Sequence, residues 1–211
     1  MSTWTIVLAA GHGRRYDPVV LKQYELLGGG RVVDRSMQQA RVVSDGVVLV
    51  VAPEFADDPE PLADIVVAGG AQRSDSVRHG LAVIPDDCDI VVVHDGARPM
   101  ASIALFESVI EAVLAGADAA IPGLPVTDTI KRVDQGRVVE TVERDELVAV
   151  QTPQAFRAEM LRDAHEDDPH ATDDAALVED MGGLVVIVPG DPRNLKITAP
   201  GDLDLAALQL R

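Results

Sequence analysis

The 211-residue chain is poor in aromatic side chains, with one Trp, two Tyr and three Phe, so its core must be built from Val, Leu, Ile and Ala. Such a composition suits strands covered on both faces by helices. The single cysteine, Cys88, permits no internal disulfide and no cysteine metal cluster. No apolar run approaches the roughly 20 residues that span a bilayer, and no basic region precedes the short apolar run near the N-terminus. The expectation is a soluble, cytoplasmic protein without a membrane partner. Basic residues are also short, 18 against 35 acidic ones, giving a formal net charge of −17. That balance argues against nucleic acid as a partner, because nonspecific binding depends on neutralising phosphates. It leaves room for a small phosphorylated ligand, since local charge governs a pocket. Lysine is the scarcest cation, present only at 22, 131 and 196. A compact ammonium retained at three places hints at roles a guanidinium does not fill.

What is present starts at the N-terminus. The apolar run Ile6–Ala9 reads as a buried strand that empties into Ala10-Gly11-His12-Gly13, followed by Arg14, Arg15 and Lys22. Glycines after a strand let backbone N–H groups approach a ligand closely, and cations just beyond suit a ligand with several negative charges. A triphosphate cradle is the reading. Two commoner glycine loops fail: Tyr16 stands where a dinucleotide fingerprint needs its third glycine, and no Gly-Lys-Ser/Thr is present. A plain strand-to-loop turn remains the bland alternative.

Further strand-like runs occur at Val47–Ala52, Ile65–Ala68, Ile90–Val93, Ala119–Ile121 and Leu184–Val188, with helix-like spacing at Arg35–Val43, Ser74–Ile84, Ile103–Leu114 and Ala175–Met181. The alternation predicts one α/β domain over 1–211, a Rossmann-like, mostly parallel twisted sheet flanked by helices. Ligands bind at the carboxyl ends of strands in such sheets. Acidic clusters at Asp57-Asp58, Asp86-Asp87 and Glu166-Asp167-Asp168 read as solvated loops. Residues 125–144 read as a protruding β-hairpin around Asp134-Gln135-Gly136. An isolated hairpin is marginal in water, so this arm is expected to pack on a second subunit.

Five segments carry candidate chemistry. In Gly69-Gly70-Ala71-Gln72-Arg73-Ser74-Asp75-Ser76, Ser74 or Asp75 could cap a helix, while the Gly70 backbone and the Ser76 hydroxyl could meet a flat base. His94-Asp95-Gly96-Ala97-Arg98 follows an apolar strand; ligand binding at the sheet edge competes there with a buried Asp95–Arg98 ion pair. His94 is expected only to pack or hydrogen-bond locally, and His12 to be a permissive loop residue. Thr127–Lys131 and Arg144 flank the hairpin, and Gln151-Thr152-Pro153-Gln154 follows. Thr172-Asp173-Asp174 opens a helix for which Thr172 is an ordinary cap candidate. Last comes Arg193–Thr198.

Taken in order, AAGHGRR, LKQY, GGAQRSDSV, VVVHDGARP, PVTDTIKR, VQTPQAF, ATDDAALVE and NLKIT resemble the 2-C-methyl-D-erythritol 4-phosphate cytidylyltransferases of non-mevalonate isoprenoid synthesis, from about residue 4 to 207. The resemblance implies a homodimer with an interlocking arm. CTP would lie on Ala9, Ala10, Gly11, Gly13, Arg15 and Lys22, with its base side against Gly69, Gly70, Arg73 and Ser76 and with Asp95 and Gly96 nearby. Asp95, Arg98, Thr152, Thr172 and Lys196, joined by Thr129 and Arg144 from the partner's arm, would bind the phosphorylated polyol. Arg15, Lys22 and Lys196 would carry catalysis, helped by Mg²⁺ held mainly by the CTP phosphates and no dedicated protein metal site. Related ribitol 5-phosphate cytidylyltransferases share the HDGARP-like and QTPQ-like elements, and a non-catalytic nucleotide-binding homologue is the third reading. Two departures stand out. Leu21 rather than proline precedes Lys22, with proline at Pro18 instead, and Ala71 stands where some relatives carry an acidic residue near the base.

Overall fold

The computed structural model describes residues 1–11, 16, 21–166 and 173–210. The opening apolar run forms β1 (Thr3–Ala9). Two-residue strands β2 (Leu26–Leu27) and β3 (Gly30–Arg31) make a small hairpin whose turn holds Gly28 and Gly29 at φ 61° and 91°, a conformation glycine adopts without steric cost. Helix α1 (Val32–Val43) then leads to β4 (Gly46–Val51) and β5 (Ile65–Ala68). Helix α2 (Arg73–Leu81), β6 (Ile90–Asp95), α3 (Ile103–Leu114) and β7 (Ala119–Pro125) follow. The hairpin strands are β8 (Ile130–Asp134) and β9 (Arg137–Val142). The chain closes through β10 (Val148–Val150), β11 (Gln154–Arg157), α4 (Ala158–Ala164), α5 (Asp174–Asp180), β12 (Val185–Pro189) and α6 (Pro200–Gln209).

Among the described residues the main sheet has the order β10-β7-β11-β6-β1-β4-β5, with β12 also paired to β7. Strands β6, β1, β4 and β5 pair parallel, as do β7 and β12. Strand β11 runs antiparallel between β6 and β7, and β10 antiparallel on β7. The α/β expectation holds, with β10 and β11 as reversals that their short runs did not betray. Helices α4 and α6 were likewise not foreseen.

Alternating side chains explain the layering. Ile6, Val48, Val50, Val91 and Val93 face α2, α4 and α5 through Val77, Leu161 and Val178. Val7, Leu49, Val51 and Val92 face α1 and α3 through Met37, Phe106 and Val109. Every residue of β4 is buried, as a strand covered on both faces must be. The order reverses between β1 and β6, one neighbour leading to β4 and the other entering from the opposite side. A crevice therefore opens at the carboxyl ends of these two strands. No helix among the described residues is long and apolar enough to cross a membrane.

The arm is a two-stranded sheet standing apart from the main one, and its turn places Gln135 at φ 45° and Gly136 at φ 78°. Successive positive φ values give the tight turn whose twist matches a hairpin. Val133 and Val138 sit opposite one another across the arm, and Val138 is 63% exposed.

Candidate active site

A cavity of about 590 Å³ occupies the β1/β6 crevice. Its floor is the end of β1, with Ala9, Ala10 and Gly11. The next wall brings Gly70, Ala71 and Gln72 from the β5–α2 connection and Arg73 and Ser76 from the start of α2, and Asp95, Ala97, Lys22 and Lys196 also line the cavity. Two of the three lysines thus meet one hollow, and each is aimed by its neighbours. Gln23, beside Lys22, is buried and donates through Nε2 to Ala9 O (2.6 Å) and Gly11 O (3.1 Å), which pins the short 3-10 turn Lys22–Tyr24 to the end of β1. Lys22 Nζ donates to Ile197 O at 2.6 Å. The Ile197 N–H in turn donates to Ala97 O at 2.9 Å, so the segment bearing Lys196 is fastened to the end of β6.

Asp95 is the one carboxylate lining this cavity among the described residues. Lys196 Nζ lies 2.7 Å from its Oδ2, and Arg98 Nε lies 3.6 Å from the same oxygen. Burial pushes the Asp95 carboxyl up, but Lys196, Arg73 and Arg98 together outweigh it and hold the group far below the usual carboxylate range. The ion pair foreseen between Asp95 and Arg98 is present, yet Lys196 is the nearer partner. Arg98 does not line the cavity and donates from Nη1 to Asn194 O at 2.8 Å. Burial lowers the Arg98 pKa, with Asp95 opposing the shift.

Beneath Asp95 lies a buried polar network. Thr152 Oγ1 accepts from the Asp95 N–H at 3.0 Å and lies 3.2 Å from His94 Nδ1. Asn194 Nδ2 donates to Thr152 O at 2.9 Å, beside the cis Thr152–Pro153 bond. Thr152 therefore supports Asp95 from below rather than lining the cavity. His94 packs on Phe106 at 5.0 Å between ring centroids, and burial lowers its pKa to about 4, so it is neutral near pH 7. It has the local role expected of it.

Gly70 N–H donates to Ser76 Oγ at 3.2 Å, so these two groups lie together at the cavity wall. Gly69 and Gly96 do not line the cavity. A Cβ on Gly69 would come within 2.4 Å of Ala10 Cβ, and one on Gly96 within 3.0 Å of Leu8 O. Asp75, not Ser74, serves the start of α2, its Oδ2 accepting from the Gln72 N–H at 2.9 Å. Thr129 and Arg144 are exposed at the base of the arm, where Arg144 Nη1 donates to Thr127 O, and neither lines this chain's cavity. Lys131 does not join the other lysines: it sits on the arm and donates to Thr141 Oγ1 at 2.5 Å. Gly13, Arg15, Thr172, His12 and Pro18 lie outside the described residues. Within them Asp173 caps α5, accepting from the Ala175 N–H at 3.4 Å. The sequence reading missed Gln23, Gln72, Asp174 and His165; only the pairing of Gln23 with Lys22 and the Asp173-Asp174 step before a helix offered a signal.

The donor set bears on Mg²⁺. No group of three or more His, Cys, Asp or Glu able to hold a metal occurs among the described residues, and Asp95 is already paired with Lys196. This set fits a cation that arrives on polyphosphate oxygens and takes one carboxylate from the protein.

Comparison with known proteins gives a family and a fold. The family model for 2-C-methyl-D-erythritol 4-phosphate cytidylyltransferase (IspD) matches residues 3–211. A Rhodococcus jostii 2-C-methyl-D-erythritol 4-phosphate cytidylyltransferase is 48% identical over 95% of this chain and 92% of its own length. A bifunctional enzyme IspD/IspF from Solidesulfovibrio magneticus is 44% identical over 96% of this chain, which spans 56% of that longer protein. The crystal structure of the Thermus thermophilus 2-C-methyl-D-erythritol 4-phosphate cytidylyltransferase superposes with a TM-score of 0.83 at 32% identity, covering 98% of both chains.

Proposed function

The chain belongs to the 2-C-methyl-D-erythritol 4-phosphate cytidylyltransferase family, and we propose that the β1/β6 cavity is where it transfers the cytidylyl group of CTP to 2-C-methyl-D-erythritol 4-phosphate. The observation that carries this reading is the meeting of Lys22 and Lys196 on one cavity of about 590 Å³ at the sheet's switch point. Ala9, Ala10, Gly11 and Lys22 take the triphosphate. Gly70, Arg73 and Ser76 take the base side, with Gly69 giving the backbone its close approach. Asp95, Arg98 and Thr152 set the position of Lys196, which takes the acceptor's phosphate.

The chemistry needs little from a base. The attacking phosphate monoester has its second ionisation near pH 6, so it is largely a dianion at neutral pH. One of its oxygens bonds to the α-phosphorus of CTP as the bond to the bridging oxygen breaks, and pyrophosphate leaves with that electron pair. What remains is to bring two anions together and to stabilise charge on the transferring and leaving oxygens. Lys22 and Lys196 meet that need. Phosphate oxygens compete with Ile197 O for the Lys22 ammonium, and an ionic acceptor outweighs a carbonyl. Mg²⁺ bound by the phosphates and Asp95 would add neutralising charge at the same oxygens.

The arm completes the assembly in this reading. A hairpin with its valines exposed is poorly stable alone, so it packs on a second copy and delivers Thr129 and Arg144 to that copy's acceptor site. The enzyme then works as a cytoplasmic homodimer.

The test is pyrophosphate release from CTP, Mg²⁺ and acceptor. Turnover with 2-C-methyl-D-erythritol 4-phosphate exceeding that with ribitol 5-phosphate is expected. The reverse preference would move the enzyme to the polyol-phosphate group, and no release with either would leave a nucleotide-binding protein without turnover.

A further inference from the structure

Behind the wall that Arg73 contributes to the cavity lies a buried pair that the reaction above does not use. Arg73 is the first residue of α2, and Asp174 the first of α5. Arg73 Nη1 lies 2.6 Å from Asp174 Oδ2. The other oxygen, Oδ1, lies 3.1 Å from Nε2 of His165, just past the end of α4. A carboxylate oxygen only accepts, so His165 Nε2 carries the proton of that bond. Asp174 and His165 side chains are 1% and 2% exposed, whereas Arg73 reaches the cavity with 27%. The start of α2 and the residue after α4 thus converge on the one carboxylate that opens α5.

The cost of burying this carboxylate is large, and an apolar pair would fill the space at least as well for stability. Its geometry has a directional consequence instead. A guanidinium presents its donors in a fixed planar fork. Fixing Nη1 on Asp174 sets the direction of the remaining donors, and His165 prevents the carboxylate from rotating. Burial raises the Asp174 pKa, but His165 and Arg73 together bring it below the usual carboxylate range, so the anchor is charged. Arg73 also feels Asp95 across the cavity.

We propose that Asp174 and His165 are positioning residues for nucleotide binding, holding the Arg73 guanidinium in the orientation in which it meets CTP. The inference rests on the reading that this cavity is the CTP site. Asp174 and His165 touch no substrate; they act through Arg73.

A double-mutant cycle on CTP affinity, measured by calorimetry and by the KM for CTP, separates this role from a merely structural one. Asp174→Asn should weaken CTP binding roughly 10–100-fold, the size of one displaced charge-assisted hydrogen bond, while kcat and the KM for the acceptor stay within about twofold. Arg73→Ala should lose a similar factor. Arg73→Ala/Asp174→Asn should be no weaker than Arg73→Ala alone. His165→Gln, which keeps an amide donor, should bind CTP nearly as the parent does, whereas His165→Leu should not. Losses that multiply in the double variant, or an Asp174→Asn protein with parental CTP affinity, would overturn the inference. Should Asp174→Asn fail to fold, the same cycle with His165→Leu decides. A parent protein that binds no CTP would overturn the site reading itself, a result distinct from normal binding with independent variants.

Discussion

Lys196 places its ammonium 2.7 Å from Asp95 Oδ2, and the same carboxylate is carried by a backbone whose N–H donates to Thr152. The ion pair thereby directs a lysine that sits on an otherwise irregular segment. Lys196→Ala should lower kcat/KM for the acceptor about 100-fold, by analogy with the loss of one preorganised charge donor. CTP affinity should change little. Steady-state kinetics with each substrate varied checks this, and equal losses toward both would contradict the assignment of Lys196 to the acceptor.

Lys22 donates to Ile197 O beside Lys196 and is held through Gln23 to the end of β1. Lys22→Ala should cost about 10²–10³ in kcat. Near-parental turnover would remove Lys22 from the reaction. Gln23→Ala should reproduce part of the loss, because it frees the turn that carries the ammonium.

How much of this was legible beforehand follows from the reach of each signal. The buried parallel strands announce themselves because Gly46–Val51 and Ile90–Val93 are apolar on both faces. Strand β11 does not: four residues, Gln154–Arg157, carry no period long enough to read, and their partners β6 and β7 lie far away in sequence. Lysine scarcity singled out Lys22 and Lys196, which line one cavity, together with Lys131 on the exposed arm, since residue counting cannot tell the two places apart. The Arg73–Asp174–His165 cluster was illegible for another reason. Its members sit on α2, at the start of α5 and after α4, and only the packing of those helices on one sheet face brings them together.

The buried His94 predicts a pH dependence of stability. Its folded pKa is lowered to about 4 by burial, against about 6.5 in an unfolded chain. Above pH 6.5 the ring is neutral in both states and contributes no pH dependence. As pH falls from 6.5 toward 4 only the unfolded state gains the proton, so stability is lost, by roughly 1.4 kcal/mol per pH unit when one group dominates. Asp95, also held low, adds its loss only below the ordinary carboxylate range near pH 4. Urea denaturation at pH 7, 6 and 5 should show the decline, and His94→Gln should flatten it between pH 6 and 5. An unchanged slope in that variant would assign the effect to other groups.

The arm makes a separable prediction about assembly. Val133 and Val138 form a cross-strand pair on a hairpin detached from the main sheet. Val133→Asp/Val138→Asp should convert a dimer to a monomer in sedimentation experiments while the far-ultraviolet circular dichroism of the α/β body persists. A dimer of unchanged affinity would place the interface elsewhere.

Whether the arm serves its own cavity or that of the other copy is decided by mixing. Arg144 is exposed at the arm's base, bonded to Thr127 O, and lines no part of its own chain's cavity. Arg144→Ala should raise the KM for the acceptor and spare CTP; Lys196→Ala damages the cavity and leaves the arm intact. Co-refolded in equal amounts, the two variants should form mixed dimers in which the Arg144→Ala cavity would meet an intact arm from the Lys196→Ala copy. Random pairing should then restore about a quarter of the parental sites, read as kcat/KM at low acceptor concentration. Activity that never exceeds the mean of the two parents would mean that each arm acts on its own chain.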